Sequence, residues 1–313
     1  MLPPSNVKAS DEHAQLEVRR VFPNAIEISD QLSFMRGYFA LVGTALLAVG
    51  VGIGVSAVRS TFQASDGPSW FLLGGSLVFF CGAFVGYFLF RADTTGLRYE
   101  PVLFNRGSPG GGTVHQLAAA SVSLIPFKPV KTVIHDYAWN CVRAEVTSQI
   151  VGAAPFTGRQ YFLTLAIVDS PGSNRVVDRF NVGLMDTGDG SRVIALWEHL
   201  RRYMQEGGPA LGANGIEGVI PAEPLALWWC LLSFMPFGPD SSMYGGMAWW
   251  AKILATAVMV IVLPFTMTFG FFRWLSLLLK KTPKWPAEIL ASAGGAALSR
   301  NELARTSGRA AVV

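Results

Sequence analysis

Two uncharged apolar runs near the front of the chain constrain everything else about it. Gly37 to Val58 runs 22 residues without a charge and Trp70 to Phe90 another 21, with eleven residues between them. A helix needs roughly 20 apolar residues to cross a hydrocarbon core about 30 Å thick. Both runs reach that length, so residues 37–90 read as a transmembrane hairpin with spans at 37–58 and 70–90. Composition agrees, with 51% hydrophobic residues, 15% charged and a mean hydropathy of +0.37 over 313 residues. Soluble domains average about 25% charged residues, which argues against a free soluble enzyme. An apolar chain with three cysteines is neither disordered nor a disulfide scaffold.

Glycines recur in the hairpin at Gly50 and Gly54 and at Gly82 and Gly86. This is GxxxG spacing, which serves a dimerisation face or the packing of the two helices on each other. A C-terminal membrane region is expected over 219–285. Within it Leu225–Phe237 is too short to cross and suits an interfacial or re-entrant path. Ile253–Phe272 is long enough, with a kink expected at Pro264. Trp70, Trp228, Trp229, Trp249, Trp250, Trp274 and Trp285 flank these segments, as interface anchors do.

Basic residues set the expected orientation. The polar segment 1–36 carries Lys8, Arg19, Arg20 and Arg36, the hairpin loop only Arg59, and Arg91 and Arg98 follow. The positive-inside rule places the N-terminus and the β-rich part in the cytoplasm of a multi-pass inner-membrane protein. The tail from Arg273, including 286–313, holds seven basic and two acidic residues and belongs there too. An even number of crossings, or a dip and return, is therefore expected over 225–272. No apolar stretch follows Met1, so a cleavable signal peptide is not expected.

Residues 91–218 change character. Val142, Ala144 and Val146 alternate with Arg143, Glu145 and Thr147, the period-two pattern of a half-buried strand. Further strands are expected at Leu97–Asn105, Val114–Leu117, Val122–Pro126, Val130–Ile134, Tyr161–Val168 and Arg175–Val182. Val193, Leu196, Trp197, Leu200, Tyr203 and Met204 then form a helical stripe over 191–206, with Glu198, His199, Arg201, Arg202 and Gln205 opposite. The expectation is an α+β membrane protein: six or seven antiparallel strands closed by one helix, tethered by a hairpin.

That order resembles bacterial pleckstrin-homology-like membrane proteins. The pieces RYEPVLFNR (Arg98–Arg106), YAWNCVRAE (Tyr137–Glu145), LWEHLRRYMQEG (Leu196–Gly207) and KWPAEI (Lys284–Ile289) resemble an uncharacterised family of proteobacterial inner-membrane proteins. Members of that family are often encoded near type VI secretion effectors. The resemblance implies an accessory, adaptor or immunity role and names no active site. The glycine-rich stretch after Arg106 departs from its basic, valine- and tyrosine-rich strand.

No metal or cofactor site is expected, since Cys81, Cys141 and Cys230 are scattered and CxxC and HxxxH spacings are absent. His135 and Asp136 are neighbours on a strand and so point to opposite faces, which suits no acid–base relay. GxSxG and Walker patterns are absent, and Gly110–Gly112 reads as a turn. Arg98, Arg106, Lys128, Lys131, Arg201 and Arg202 are the candidate contacts for a protein partner or anionic lipid. Charges balance over 91–223, twelve against twelve, and there is no basic stripe, so nucleic acid is not an expected ligand. The expectation is a non-enzymatic membrane protein whose β-rich domain binds a protein, an effector or secretion component by the resemblance. The alternatives are an anionic-lipid sensor and a membrane enzyme or transporter subunit. Ionisable residues inside the spans would mark the last of these, and the first two spans have none.

Overall fold

The computed structural model describes residues 18–29, 37–63, 70–108, 111–119, 131–151, 158–186, 188–211, 219, 225–232 and 248–310. Helices α1 (Tyr38–Gln63) and α2 (Trp70–Thr94) are long and apolar enough to cross a membrane. They pack along a seam spaced three and four residues apart, with Ala40, Gly43, Gly50 and Gly54 on α1 and Ser76, Ala83 and Gly86 on α2 buried. Such spacing is the knobs-into-holes repeat of left-handed helix pairs. Gly86 lies so close to α1 that a Cβ there would sit 2.6 Å from the Gly43 carbonyl oxygen; one on Gly50 would sit 2.6 Å from that of Phe79.

The β-rich part contains β1 (Val18–Val21), β2 (Ala25–Ile28), β3 (Val102–Asn105), β4 (Thr113–Ala119) and β5 (Thr132–Ala138) in one antiparallel sheet, in that order. A second antiparallel sheet holds β6 (Val142–Val151), β7 (Gly158–Val168) and β8 (Val176–Asp186). The described residues thus hold eight strands, and two of them arise from the segment expected to be a separate polar N-terminus. Strand β2 pairs with β3 from Ala25↔Asn105 to Ile28↔Val102, so the helical hairpin is inserted between two neighbouring strands. The stretch AIEI of β2 is only four residues long, with a charge inside it. Periodicity has too little to work on in so short a segment.

Helix α3 (Ser191–Gln205) starts at Gly190, where Asp189 accepts a hydrogen bond from the Ser191 amide at 3.0 Å. Its stripe packs on β3, β6, β7 and β8, so it touches both sheets. Ile26, Ile28, Val102, Phe104 and Val114 face that core together with Leu163, Leu165, Trp139 and Trp197. The alternate residues Ala25, Leu103 and Leu117 face a second core with Phe22, Leu97, Trp285 and Ala293. Burial on both faces explains why β2 and β3 are buried at every position.

The second cover comes from the far end of the chain. After α4 (Leu227–Leu232) and α5 (Trp249–Leu279), the chain runs through α6 (Ala287–Ser292) to α7 (Arg300–Ala310). The Leu298 amide donates to the Val21 carbonyl at 2.7 Å and the Asn24 amide to that of Ala293 at 2.9 Å. Residues 286–305, expected as a basic tail, are therefore a folded strap on the first sheet. Trp285 likewise departs from the interface anchor expected of it. It is 6% exposed and inside the second core, because Glu27 offers its indole N–H a buried acceptor. An interface anchor has to reach lipid headgroups, and this ring does not.

Candidate functional site

Strand edges distinguish one side of the first sheet from the other. At the β1 edge, Val18 bridges to Val219 and Val21 is bonded by Leu298. At the opposite edge β5 pairs with β4 from Thr113↔Ala138 to Ala119↔Thr132, and among the described residues its outer edge has no backbone partner. Lys131, Thr132, Val133, His135, Asp136 and Ala138 are exposed there. The outward-pointing N–H and C=O groups of alternate residues along this seven-residue strand form a template that an extended segment of another chain can add to.

The inward side chains of β5 hold it firmly. Tyr137 stacks on Phe180 with ring centres 5.7 Å apart, and its hydroxyl donates to the Asp178 carboxylate. Burial first, and Asp178 second, push that phenol well above its ordinary range. His135 also stacks on Tyr137, with ring centres 6.2 Å apart. Asp136 turns the opposite way and meets the buried His115 of β4 directly across the ladder, Nδ1 to Oδ1 at 2.6 Å. His135 and Asp136 thus lie on opposite faces, as the alternation requires.

A buried carboxylate lies at the centre of the strap interface. Glu27 is 0% exposed and accepts from Arg20 Nε at 2.9 Å, Trp285 Nε1 at 2.7 Å and Tyr99 Oη at 3.2 Å. Arg20 Nη2 lies 2.6 Å from its other oxygen, and Arg19 covers the Tyr99 ring at 3.8 Å. Burial opposes the Arg20 charge, yet the adjoining carboxylate more than compensates and holds the guanidinium above its ordinary value. Burial, then Glu27, raise the Tyr99 phenol. A carboxylate with its acceptor sites filled by three different chain segments is an assembly point.

A second such point lies where helices and domain meet. Asp93 accepts from the Gly37 and Ala40 amides at 2.8 and 2.9 Å, capping α1 from the end of α2. Ser276 of α5 donates to the Asp93 carbonyl at 2.7 Å, and Lys280 Nζ stands 3.8 Å from its carboxylate. Gly37 has φ +86° and approaches the backbone of Arg273 so closely that a Cβ would sit 2.5 Å from it. Neither Glu27 nor Asp93 stands out in sequence as anything but a polar residue beside an apolar run.

Five of the six basic candidates lie on described residues, Arg98 at the helix junction and Arg106 beside the end of α3 that carries Arg201 and Arg202. Arg98 donates to the Leu277 carbonyl at 3.0 Å, at the helix junction. Arg106 covers the Tyr203 ring at 4.7 Å. Arg201 and Arg202 both bind Glu198, at 2.7 and 2.9 Å, and Arg201 also meets Glu206 at 2.8 Å. Lys131 is exposed beside β5, and Lys128 lies outside the described residues. Of the glycines, Gly50, Gly54 and Gly86 face the partner helix, whereas Gly82 meets nothing within 4 Å. Gly43 belongs to the seam and has no GxxxG partner to announce it. Trp70, Trp228, Trp249 and Trp250 are exposed. Trp229 lies under Arg273, and Trp274 donates to the Leu225 carbonyl at 3.1 Å. No group of three potential metal ligands occurs among the described residues.

His199 departs from the solvated face expected of it. Burial chiefly, then Arg202, lower its pKa to about 4. The unfolded chain takes up that proton near 6.5, the folded chain only near 4. The unfolded state therefore binds more protons between those values, and stability falls as pH drops through that window. About 3 kcal/mol would be lost in full. Thermal unfolding at pH 7.5 and 5.0 checks this: His199→Gln should lose much less on acidification than the wild type, and equal losses would refute the assignment.

A family model described as a family of unknown function matches residues 79–294, more than half of the chain. No curated protein and no solved structure matches it.

Proposed function

The chain belongs to DUF6708, a family of unknown function, and we propose that it is a non-enzymatic membrane protein whose β-rich domain binds a protein partner. The observation that carries this reading is the asymmetry of the first sheet. Its β1 edge is covered by the chain itself, while β5 offers exposed Thr132, Val133 and His135 on an edge with no described backbone partner. The partner adds an extended segment to β5. By the sequence resemblance it is a type VI secretion effector or component, for which this chain serves as adaptor or immunity protein. Two antiparallel sheets with one helix packed on both support a pleckstrin-homology-like reading of the domain.

Arg91, Arg98, Arg273, Lys280 and Lys281 gather at the domain end of the helices, while Arg59 lies at the far end of α1. That distribution supports a cytoplasmic domain on the inner membrane. Lipid sensing is the weaker reading, since Arg201 and Arg202 are engaged in ion pairs with Glu198 and Glu206.

A photo-crosslinking residue at His135 in the full-length chain should give a specific adduct, recovered from detergent with a protein encoded nearby. The same probe at exposed Arg175, in the β7–β8 turn, should not. Recovery of the chain without adduct from cells that express its gene neighbourhood would refute the proposal.

A further inference from the structure

The exposed apolar surface of α5 is unusually large. Ile253, Leu254, Val260, Ile261 and Phe265 are each more than half exposed, yet α5 is not a straight span. Trp249–Val258 and Leu263–Leu279 are bent by 76°. Pro264 accounts for the bend, lacking an amide hydrogen and crowding the carbonyl four residues back.

Three observations fix which side this region starts and ends on. Val219 bridges to Val18 of β1, so the chain enters from the β-rich domain. Lys281 bridges to Leu97 and its amide bonds to Gly96, so the chain returns to that domain. Between them, α4 is seated on the domain end of α5: a Cβ on Gly270 would sit 2.5 Å from the Cys230 carbonyl oxygen, and Trp274 bonds the Leu225 carbonyl. A chain that leaves and re-enters one side makes an even number of crossings. The apolar run that contains α4 is 13 residues, about 20 Å of helix and short of a bilayer core. It cannot supply the second crossing that a spanning α5 would need.

Depth follows from the junction. Arg273 abuts Gly37, the base of α1. Leu263 is ten residues further in, about 15 Å at 1.5 Å per residue, roughly half of a 30 Å core. Beyond it the helix turns aside, and its remaining ten residues add only a few ångströms of depth at 76°.

We infer that α4 and α5 form a re-entrant wedge that enters from the side of the β-rich domain and ends near the bilayer midplane without crossing, its exposed apolar face covered by lipid acyl chains. The wedge continues the lipid-facing surface of α1 and α2, and the inference rests on the reading that those two helices cross the bilayer.

The test uses full-length protein in sealed membrane vesicles of both orientations, with Cys81, Cys141 and Cys230 replaced by alanine. Single cysteines are placed at Ser65→Cys between α1 and α2, at Ser170→Cys in the β7–β8 turn and at Ala248→Cys before α5. A membrane-impermeant maleimide should modify S65C and S170C from opposite sides. It should leave A248C unmodified from the side that exposes S65C, a complete loss of labelling relative to S65C. Labelling of A248C from the S65C side would overturn the wedge, because a straight 31-residue helix would carry that position through the membrane. Labelling of S65C and S170C from one side would instead overturn the hairpin, whatever A248C does.

Discussion

Glu27→Ala should be the most damaging single substitution in the β-rich domain, at about 3–5 kcal/mol, the usual cost of breaking a buried ion pair by removing one partner. The carboxylate is fully buried and satisfies Arg20, Tyr99 and Trp285 at once. Its removal leaves a half-buried guanidinium without its counter-charge and an indole N–H without an acceptor. Glu27→Gln retains the shape and one acceptor oxygen, so its loss should be smaller. Urea unfolding in detergent, followed by tryptophan fluorescence, measures both. A cost within about 1 kcal/mol for the alanine variant would mean that water reaches the site, contrary to the burial described.

Gly86→Leu should separate the two helices of the hairpin. A Cβ at that position meets the Gly43 carbonyl oxygen at 2.6 Å and the Leu47 amide nitrogen at 2.7 Å, both backbone atoms that no rotamer change can move. Overpacking a well-filled interior ordinarily costs about 1–3 kcal/mol, and contact with backbone places this variant at or above the top of that range. Gly82→Leu is the matched control. It lies four residues away on the same helix, in open space, and should change stability by no more than about 0.5 kcal/mol. Thermal unfolding of the two variants in one detergent separates the predictions, and equal losses would contradict the seam.

Long, strongly patterned segments were legible in the sequence. The spans expected at 37–58 and 70–90 became Tyr38–Gln63 and Trp70–Thr94, each lengthened by a final turn whose polar residues hide it from a hydropathy reading. The alternation at Val142 to Thr147 lies in β6, and the stripe of α3 is buried where its spacing puts it. The strand expected at Val122–Pro126 lies outside the described residues. What escaped was set by partners distant in the chain. Strands β1 and β2 are four residues each and persist because β3, some 75 residues on, pairs with β2. Trp285 looked like the other edge tryptophans because nothing local distinguishes a ring that will meet Glu27, 258 positions earlier. Arg201 and Arg202 differ, because their partner Glu198 stands three and four residues back, a helix ion-pair spacing that the sequence itself carries.

The placement of the helical hairpin between β2 and β3, with the last cover of the sheet supplied by the strap, bears on biosynthesis. The ribosome releases β1 and β2 before the hairpin, and beyond each other they have no strand partner until the two hydrophobic helices have been made and β3 has followed. Trp285 and the strap emerge later still. If the hairpin is inserted with only one helix across, the early and late strands are stranded in different compartments and the sheet never forms. Completion of the β-rich domain therefore requires that both helices be placed so that β3 returns to β2.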